Sequence, residues 1–510
     1  MTETLKNEEL ICRVARLGAN GEGVTELPDG KVMFVPFVCE GEEVTVRVLA
    51  VKKKFAYGKC VGVGKASPDR VMPKCAVFGK CGGCQLQHLR YEAQLLWKQR
   101  NVRDTLKKVG GIETVVAETV PSVLPYGYRN KIQVPVGIDR QGRTVIGFYR
   151  SDSHDIVPIE TCPLHGDWAA KLMAAVRLYM EQARLSGYDE TTKKGDVRHI
   201  VARKIGERIQ ICIVTPLSKL PKAELLTSIL QEKFSDFALF YNVNARDTNV
   251  ILGDKTVRVY GEERLNADWQ GIHIRLAVQS FLQVNTEAAQ RLYDGVIAAA
   301  KLNKSDIVID AYSGAGILSA RLARSAYHAY GVEICKEASL DADVLKKENG
   351  VENLTNINGD CAQALPALVK EIQRVRSCSG AERNQTDTAA ELPTRDETRQ
   401  HFIGQSKDSL FLKNIGDKNV VAENKTNRQS ERRIVVVLDP PRKGCDERVL
   451  AAVAEAAPST IVYVSCNPAT LARDLKYLTE HSFSIESVTP YDLFPQTCHV
   501  ETLVILTRKE

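Results

Sequence analysis

Ile307-Val308-Ile309-Asp310-Ala311-Tyr312-Ser313-Gly314-Ala315-Gly316-Ile317 is the stretch whose reading decides the fold. Residues 307–312 form a short, β-branched and almost unbroken apolar run, the pattern of a strand covered on both faces in a parallel sheet. The two glycines that follow let the chain turn from strand to helix while a ligand approaches the backbone, and the helix is expected to start near Ile317. Runs of the same character recur at 329–334, 434–438 and 461–464. Their alternation with helical segments predicts an α/β, Rossmann-like doubly wound sheet whose ligands bind at the carboxyl ends of the strands.

The strand ends carry chemistry. A dinucleotide fingerprint requires a third glycine at position 319, where Ser319 stands, so a pyrophosphate site is disfavoured. Glu333 closes the next run in Gly331-Val332-Glu333, where an acid can accept hydrogen bonds from both ribose hydroxyls. The two features together favour S-adenosylmethionine as cofactor, and strands near 484–489 and 501–507 fit the extra pair of a methyltransferase sheet. In Leu438-Asp439-Pro440-Pro441-Arg442-Lys443-Gly444 the prolines stiffen a loop and leave Asp439 free to face the crevice and a base edge. Cys466, in Val464-Ser465-Cys466-Asn467-Pro468, is placed like a nucleophile at another strand end. A lone cysteine is usually a small buried hydrophobe, but beside Asp439 and a methyl-donor site the nucleophilic reading is favoured.

Outward from this domain, at 271–510, the chain changes character. With 510 residues, two to four domains are expected. Residues 1–66 read as short strands at 11–17, 32–38, 44–50 and 59–63 separated by glycine turns, which predicts a small OB-like antiparallel barrel. Lys52-Lys53-Lys54-Phe55-Ala56-Tyr57 puts cations beside aromatics there, as a nucleic-acid surface does and as a plain hairpin tip also can. Residues 67–270 read as a mixed α/β central domain opened by a cysteine loop. Residues 376–430 are polar and poor in aromatics, the composition of a disordered insertion.

The net charge is only +6, but residues 67–130 hold ten Lys+Arg against five Asp+Glu, a block compatible with a phosphate backbone. No apolar run approaches the roughly 18 residues of a membrane helix, and the acidic start lacks the pattern of a signal peptide. A cytoplasmic protein with no membrane partner and no obligate protein partner is expected. Among 14 cysteines, Cys75, Cys81 and Cys84 crowd into one glycine-bearing loop, with Cys162 as a fourth candidate ligand. Such thiolates suit a cubane iron-sulfur cluster or tetrahedral zinc equally well.

Taken together, these motifs resemble the RNA uracil-C5 methyltransferase family, and most closely its bacterial 23S ribosomal RNA members. Phe281-Leu282-Gln283-Val284-Asn285, the Asp439 loop, Ser465-Cys466-Asn467-Pro468-Ala469-Thr470-Leu471-Ala472-Arg473-Asp474 and His499-Val500-Glu501-Thr502 carry the likeness. The resemblance implies a TRAM barrel at the N-terminus and a [4Fe-4S] cluster on Cys75, Cys81, Cys84 and Cys162, with zinc as the alternative. It implies S-adenosylmethionine held by Gln283, Tyr312, Glu333, Asp360 and Asp439, Cys466 as nucleophile and Glu501 as the base that takes the final proton. The implied product is 5-methyluridine in 23S ribosomal RNA. A transfer-RNA uridine, or methylation of a base amino group, are the alternatives.

The residue types also suffice for that chemistry. Uracil C5 is too weak a nucleophile for a sulfonium methyl, but a thiolate added at C6 turns the ring into an enolate that can attack. Removing the proton left on C5 then requires a nearby carboxylate.

Overall fold

The computed structural model describes residues 6–151, 153–381 and 432–509. Strands β1 (Glu9–Arg13), β2 (Arg16–Leu17), β3 (Gly23–Glu26), β4 (Val32–Val35), β5 (Glu43–Val51) and β6 (Phe55–Lys65) form one sheet in the order β1-β5-β6-β4-β3-β2. The expected run 11–17 divides because the chain changes partner there, the Val14 amide still donating to Glu42 beside β5 while the Ala15 amide donates to Val24 of β3, and β3 hides from an apolar search behind Gly23, Thr25 and Glu26. The barrel interior is aliphatic, with Met33, Val35, Val44, Val46, Val48 and Ala56 fully buried. At Gly58 a Cβ would lie 2.3 Å from Val46, so only glycine fits.

Helix α1 (Tyr91–Gly110) follows the cysteine loop. The central sheet comprises β7 (Lys131–Ile138), β8 (Thr144–Tyr149), β9 (Ile156–Pro158), β10 (His199–Ile205), β11 (Arg208–Thr215), β12 (Phe237–Val243) and β13 (Lys255–Tyr260), in the order β13-β12-β11-β10-β7-β8-β9. Helices α2 (Asp167–Ala183) and α3 (Ala223–Gln231) share one core with it. A hairpin of β14 (Leu265–Trp269) and β15 (Ile272–Leu276) follows. The expected boundary between 270 and 271 falls in its turn, and the hairpin's Trp269, Ile272 and Ile274 are buried in the core of the last domain.

That last domain holds β16 (Ile307–Ala311), β17 (His328–Glu333), β18 (Leu354–Asn358), β19 (Ile434–Leu438), β20 (Thr460–Ser465), β21 (Phe483–Tyr491) and β22 (Glu501–Arg508). Their order is β18-β17-β16-β19-β20-β22-β21. Alternate residues feed opposite cores: Ile307, Ile309 and Ala311 face one, Val308 the other. Both faces are thus buried, which explains why the strand reads as a continuous apolar run. Helices α4 (Thr286–Ala300), α5 (Ile317–Ala323) and α6 (Lys336–Glu348) cover one face, and α7 (Cys361–Ala381), α8 (Glu447–Ala456) and α9 (Pro468–Glu480) cover the other.

Helix α5 starts at Ile317, as its glycine-bearing approach predicts. Helix α7 runs six residues into the segment expected to be disordered from 376, carried by Leu365, Leu368, Val369 and Ile372 on its buried face. The remainder of that expected insertion, from 382 to 430, lies outside the described residues.

Strand β22 alone runs against the other six. It pairs antiparallel with β20 in the register Ser465 to Thr502, so its first residue, Glu501, stands level with the residue that follows β20, Cys466. Two residues 35 positions apart in sequence are brought to one sheet end by this reversal.

Candidate active site

Four of the five candidate cofactor residues come from different strand ends, and Gln283 from the loop before α4. Tyr312 follows β16 with a left-handed backbone (φ 70°), a conformation that costs of order 1–3 kcal/mol and is found at working sites. Glu333 ends β17, and its carboxylate accepts the amides of Gly314 (2.9 Å) and Cys335 (2.7 Å), which fixes it against the glycine loop. Asp360 follows β18 and accepts the Ala362 amide (3.0 Å) at the start of α7. Gln283 is buried in the loop before α4, where the Asn130 side chain donates to its carbonyl (2.9 Å). Ser319, standing where a dinucleotide site has glycine, donates to the carboxyl of buried Asp310.

The loop after β19 is pinned from α9. Asn467 caps that helix by accepting the Ala469 amide (3.0 Å) and donates to the Arg442 carbonyl (3.1 Å). Arg473 donates to the carbonyls of Lys443 and Cys445, both at 3.1 Å, while buried Asp474 accepts the Cys445 amide (2.8 Å). Gly444 sits among them at φ 78°, and a Cβ there would meet Arg473 Nη2 at 2.5 Å and Asp474 Oδ2 at 2.7 Å. The two motifs quoted from the sequence are therefore one hydrogen-bonded unit, in which α9 aims Asp439 and Arg442.

Asp439 and Arg442 act on the protonation of both Cys466 and Glu501. Burial pushes Asp439 up to about 7. Glu501 is raised well above the carboxylate range by burial first and Asp439 second, with Arg442 opposing. The Cys466 thiol is pushed up to about 11 by burial and then by Glu501 and Asp439, again against Arg442. Burial acts on all three, and Arg442 opposes it at Cys466 and Glu501. Arg442, quoted in the motif without a role, is their counter-charge, and its guanidinium also lies 3.5 Å from the His499 ring.

Cys466 opens onto a cavity of about 990 Å³. One wall is α1, with Arg100, Arg103 and Lys108; another is the barrel, with Arg16 and Phe34; Arg442 and Asn467 lie beside the thiol. The basic block 67–130 thus contributes to the cavity, though part of it is engaged elsewhere: Lys98 is fully buried on Asp492 at 2.5 Å. Neither partner of that ion pair was signalled by the sequence, since 394 residues separate them.

Cys75, Cys81, Cys84 and Cys162 line a second cavity, of about 120 Å³, with Val77, Phe148, Leu164 and Arg129. Burial raises Cys81, and pushes Cys84 up to about 12 and Cys162 up to about 11. No group of three or more His, Cys, Asp or Glu that could hold a metal ion is formed among the described residues.

A reversed β22 at the end of a doubly wound sheet, with acids at successive strand ends, defines a class I S-adenosylmethionine-dependent methyltransferase behind an N-terminal barrel. Residues 427–509 match the family model described as tRNA (Uracil-5-)-methyltransferase, and residues 4–61 match the TRAM domain. RNA methyltransferases of Bacillus cereus (36% identity over 512 residues, 99% of this chain and 98% of that one) and Clostridium acetobutylicum (34% over 509, 99% and 98%) are similar over full length. The solved tRNA (uracil-54, C5)-methyltransferase of Pyrococcus abyssi, in complex with S-adenosyl-L-homocysteine, superposes with a TM-score of 0.68 at 25% identity, covering 98% of this chain and 100% of that one. The chain belongs to the uracil-5 family of RNA methyltransferases.

Proposed function

We propose that the protein methylates C5 of a uridine in 23S ribosomal RNA through a covalent Cys466 adduct. The observation that carries this reading is the β20–β22 register, which sets Cys466, on the wall of the cavity, level with buried Glu501. Gln283, Tyr312, Glu333, Asp360 and Asp439 would hold S-adenosylmethionine, Glu333 through the ribose, since each carboxylate oxygen keeps a free lone pair after its amide bond. When bound, S-adenosylmethionine supplies an electrophilic methyl on a positively charged sulfur.

The chain's own residues do the rest. Cys466 gives its proton to solvent in the cavity onto which it opens, and its sulfur bonds to C6 as the C5–C6 π electrons move to the C4 carbonyl oxygen. After C5 gains the methyl, ionised Glu501 takes the C5 proton, the C5–C6 double bond re-forms and the thiolate leaves. Arg442 lowers the cost of negative charge on this set, opposing the rise in both Cys466 and Glu501.

The cysteine cavity is where a [4Fe-4S] cluster would be held: four thiols line about 120 Å³ together with apolar Val77, Phe78, Phe148 and Leu164 and polar Gln87, Arg129 and His165, whereas thiolates about 2.3 Å from a single zinc ion enclose no such space. The cluster would supply a covalent tie between the 75–84 loop and Cys162. Iron and acid-labile sulfide in the purified protein, with zinc at trace level, are the expected composition.

A transfer-RNA uridine is the second reading, favoured by the Pyrococcus abyssi enzyme's substrate. Mass spectrometry of ribosomal and transfer RNA from cells lacking the protein, complemented with wild type or Cys466→Ala, separates these readings. Loss of 5-methyluridine from 23S RNA, restored by wild type alone, is expected. Loss from transfer RNA only would move the substrate, and an active Cys466→Ala enzyme would point to amino-group methylation instead.

A further inference from the structure

The barrel holds four aromatic residues between 6 and 66, and none of them lies in its aliphatic core. Phe37 packs on Phe78. The other three, Phe34, Phe55 and Tyr57, stand together on the outer face of β4 and β6. These strands pair in parallel with Phe34 opposite Tyr57, and the three ring centroids lie 5.4–6.2 Å apart. Strand alternation makes the placement specific: Met33, Val35 and Ala56, the neighbours in sequence, are fully buried, while Tyr57 is 46% exposed. Keeping aromatic surface wet forgoes burial free energy of about 25 cal/mol per Å², which a fold without a use for it would recover by turning the rings inward.

Two further observations fix the occupant. Phe34 lines the same cavity as Cys466, so the aromatic patch continues from the active-site groove. Lys52, Lys53 and Lys54, all exposed, flank Phe55 on the chain, and Arg100, Arg103 and Lys108 form the opposite wall. Flat apolar rings bordered by cations along a groove match a single-stranded nucleotide, whose base stacks while its phosphates meet the lysines.

We propose that Phe34, Phe55 and Tyr57 form a stacking site for an unpaired base of the RNA substrate, at a position other than the uridine that is methylated. The proposal rests on the RNA-substrate reading, but its test needs no methyl transfer. The full-length protein is titrated with a single-stranded RNA oligonucleotide carrying 2-aminopurine at successive positions, followed by fluorescence and anisotropy. At one position wild type should quench the fluorophore. Tyr57→Ala and Phe55→Ala should each abolish that quenching and weaken binding about tenfold, as loss of one stacked base does. Tyr57→Phe should retain both, and Val61→Ala, on the same outer face but away from the rings, should bind as wild type. Thermal melts of each variant guard against misfolding.

Wild-type affinity in a folded Tyr57→Ala protein would overturn the proposal. So would an equal loss in Val61→Ala, which would mean that the face contributes general apolar area. RNA that is quenched by wild type but methylated at no uridine would instead defeat the proposed function and leave the stacking site standing.

Discussion

At the residue scale, the site places neutral-leaning acids where ionised ones must act. In the proposed mechanism Glu501 has to be ionised to take the C5 proton, yet burial and Asp439 favour its protonated form. Activity should therefore rise with pH well beyond the ordinary carboxylate range, and fall as acid reprotonates Glu501; a pH profile of the single-turnover rate measures it. Glu501→Gln should still form the adduct but lose about 10²–10⁴ in turnover, so that a protein–RNA species stable to denaturing electrophoresis accumulates. Cys466→Ala should form none. Asp439 makes a separate statement about stability. Its folded value near 7 exceeds the ordinary 3.8, so the folded chain binds this proton more tightly than the unfolded chain does. Stability is then unaffected below about pH 4, and declines as pH rises from there to about 7. Asp439→Asn should lose activity yet gain of order 1–3 kcal/mol against urea at pH 8, with no gain at pH 4. A gain over wild type no larger at pH 8 than at pH 4 would contradict the assignment of burial as the cause.

At the scale of elements, what could be read in advance was what local chemistry dictates. Four of the six parallel strands announced themselves because both faces are buried, and the α5 start because Gly314 and Gly316 take φ of 56° and 79°. Glu333, Asp439 and Cys466 could be read from the residues because each ends or follows such a strand, whereas Asp360 follows β18, which no apolar run announces, and came, like the cofactor role of Tyr312, only with the family likeness. Glu501 needed the family likeness, since nothing local says that β22 runs backwards. The brace of Asn467, Arg473 and Asp474 on the Asp439 loop was also hidden: the residues could be quoted, but their partners are carbonyls and amides 25–30 positions away. Strand β3 was missed because its inward residues include glycine and threonine, and helix α7 overran its expected end because four apolar residues anchor it. The brace gives a test of its own. Gly444→Ala adds a Cβ at 2.5 Å from Arg473 and a residue disfavoured at φ 78°. A loss of about 1–3 kcal/mol in stability is expected, together with a lower kcat, because the displaced loop carries Asp439 and Arg442. Unchanged kcat in a destabilised variant would separate the loop from catalysis.

Across the whole molecule, the segment 492–498 that leads into Glu501 is held by parts of the chain nearly 400 residues earlier. The amides of Gln85 and Leu86, next to the cysteine loop, donate to the Gln496 carbonyl at 3.1 and 3.0 Å. The Gln94 side chain donates to Gln496 Oε1 (3.0 Å), Tyr128 donates to the Pro495 carbonyl (3.0 Å), and Lys98 reaches both Asp492 and the Phe494 carbonyl. The region between the barrel and the central sheet therefore acts as a clamp on the base-bearing strand, and a cluster on the four cysteines would stiffen the clamp from its other end. The Lys98–Asp492 pair is the part of it that can be measured cleanly, because both side chains are fully buried. Removing one partner strands a buried charge, so Lys98→Met alone should cost about 3–5 kcal/mol. Replacing both, Lys98→Met with Asp492→Leu, removes the desolvation penalty as well and should restore most of that stability. The double variant would still lack the bond from Lys98 to the Phe494 carbonyl, and so should recover its melting temperature without recovering kcat. Full recovery of both would mean that the pair serves the fold alone, and that Glu501 is placed by β22 without help from the clamp.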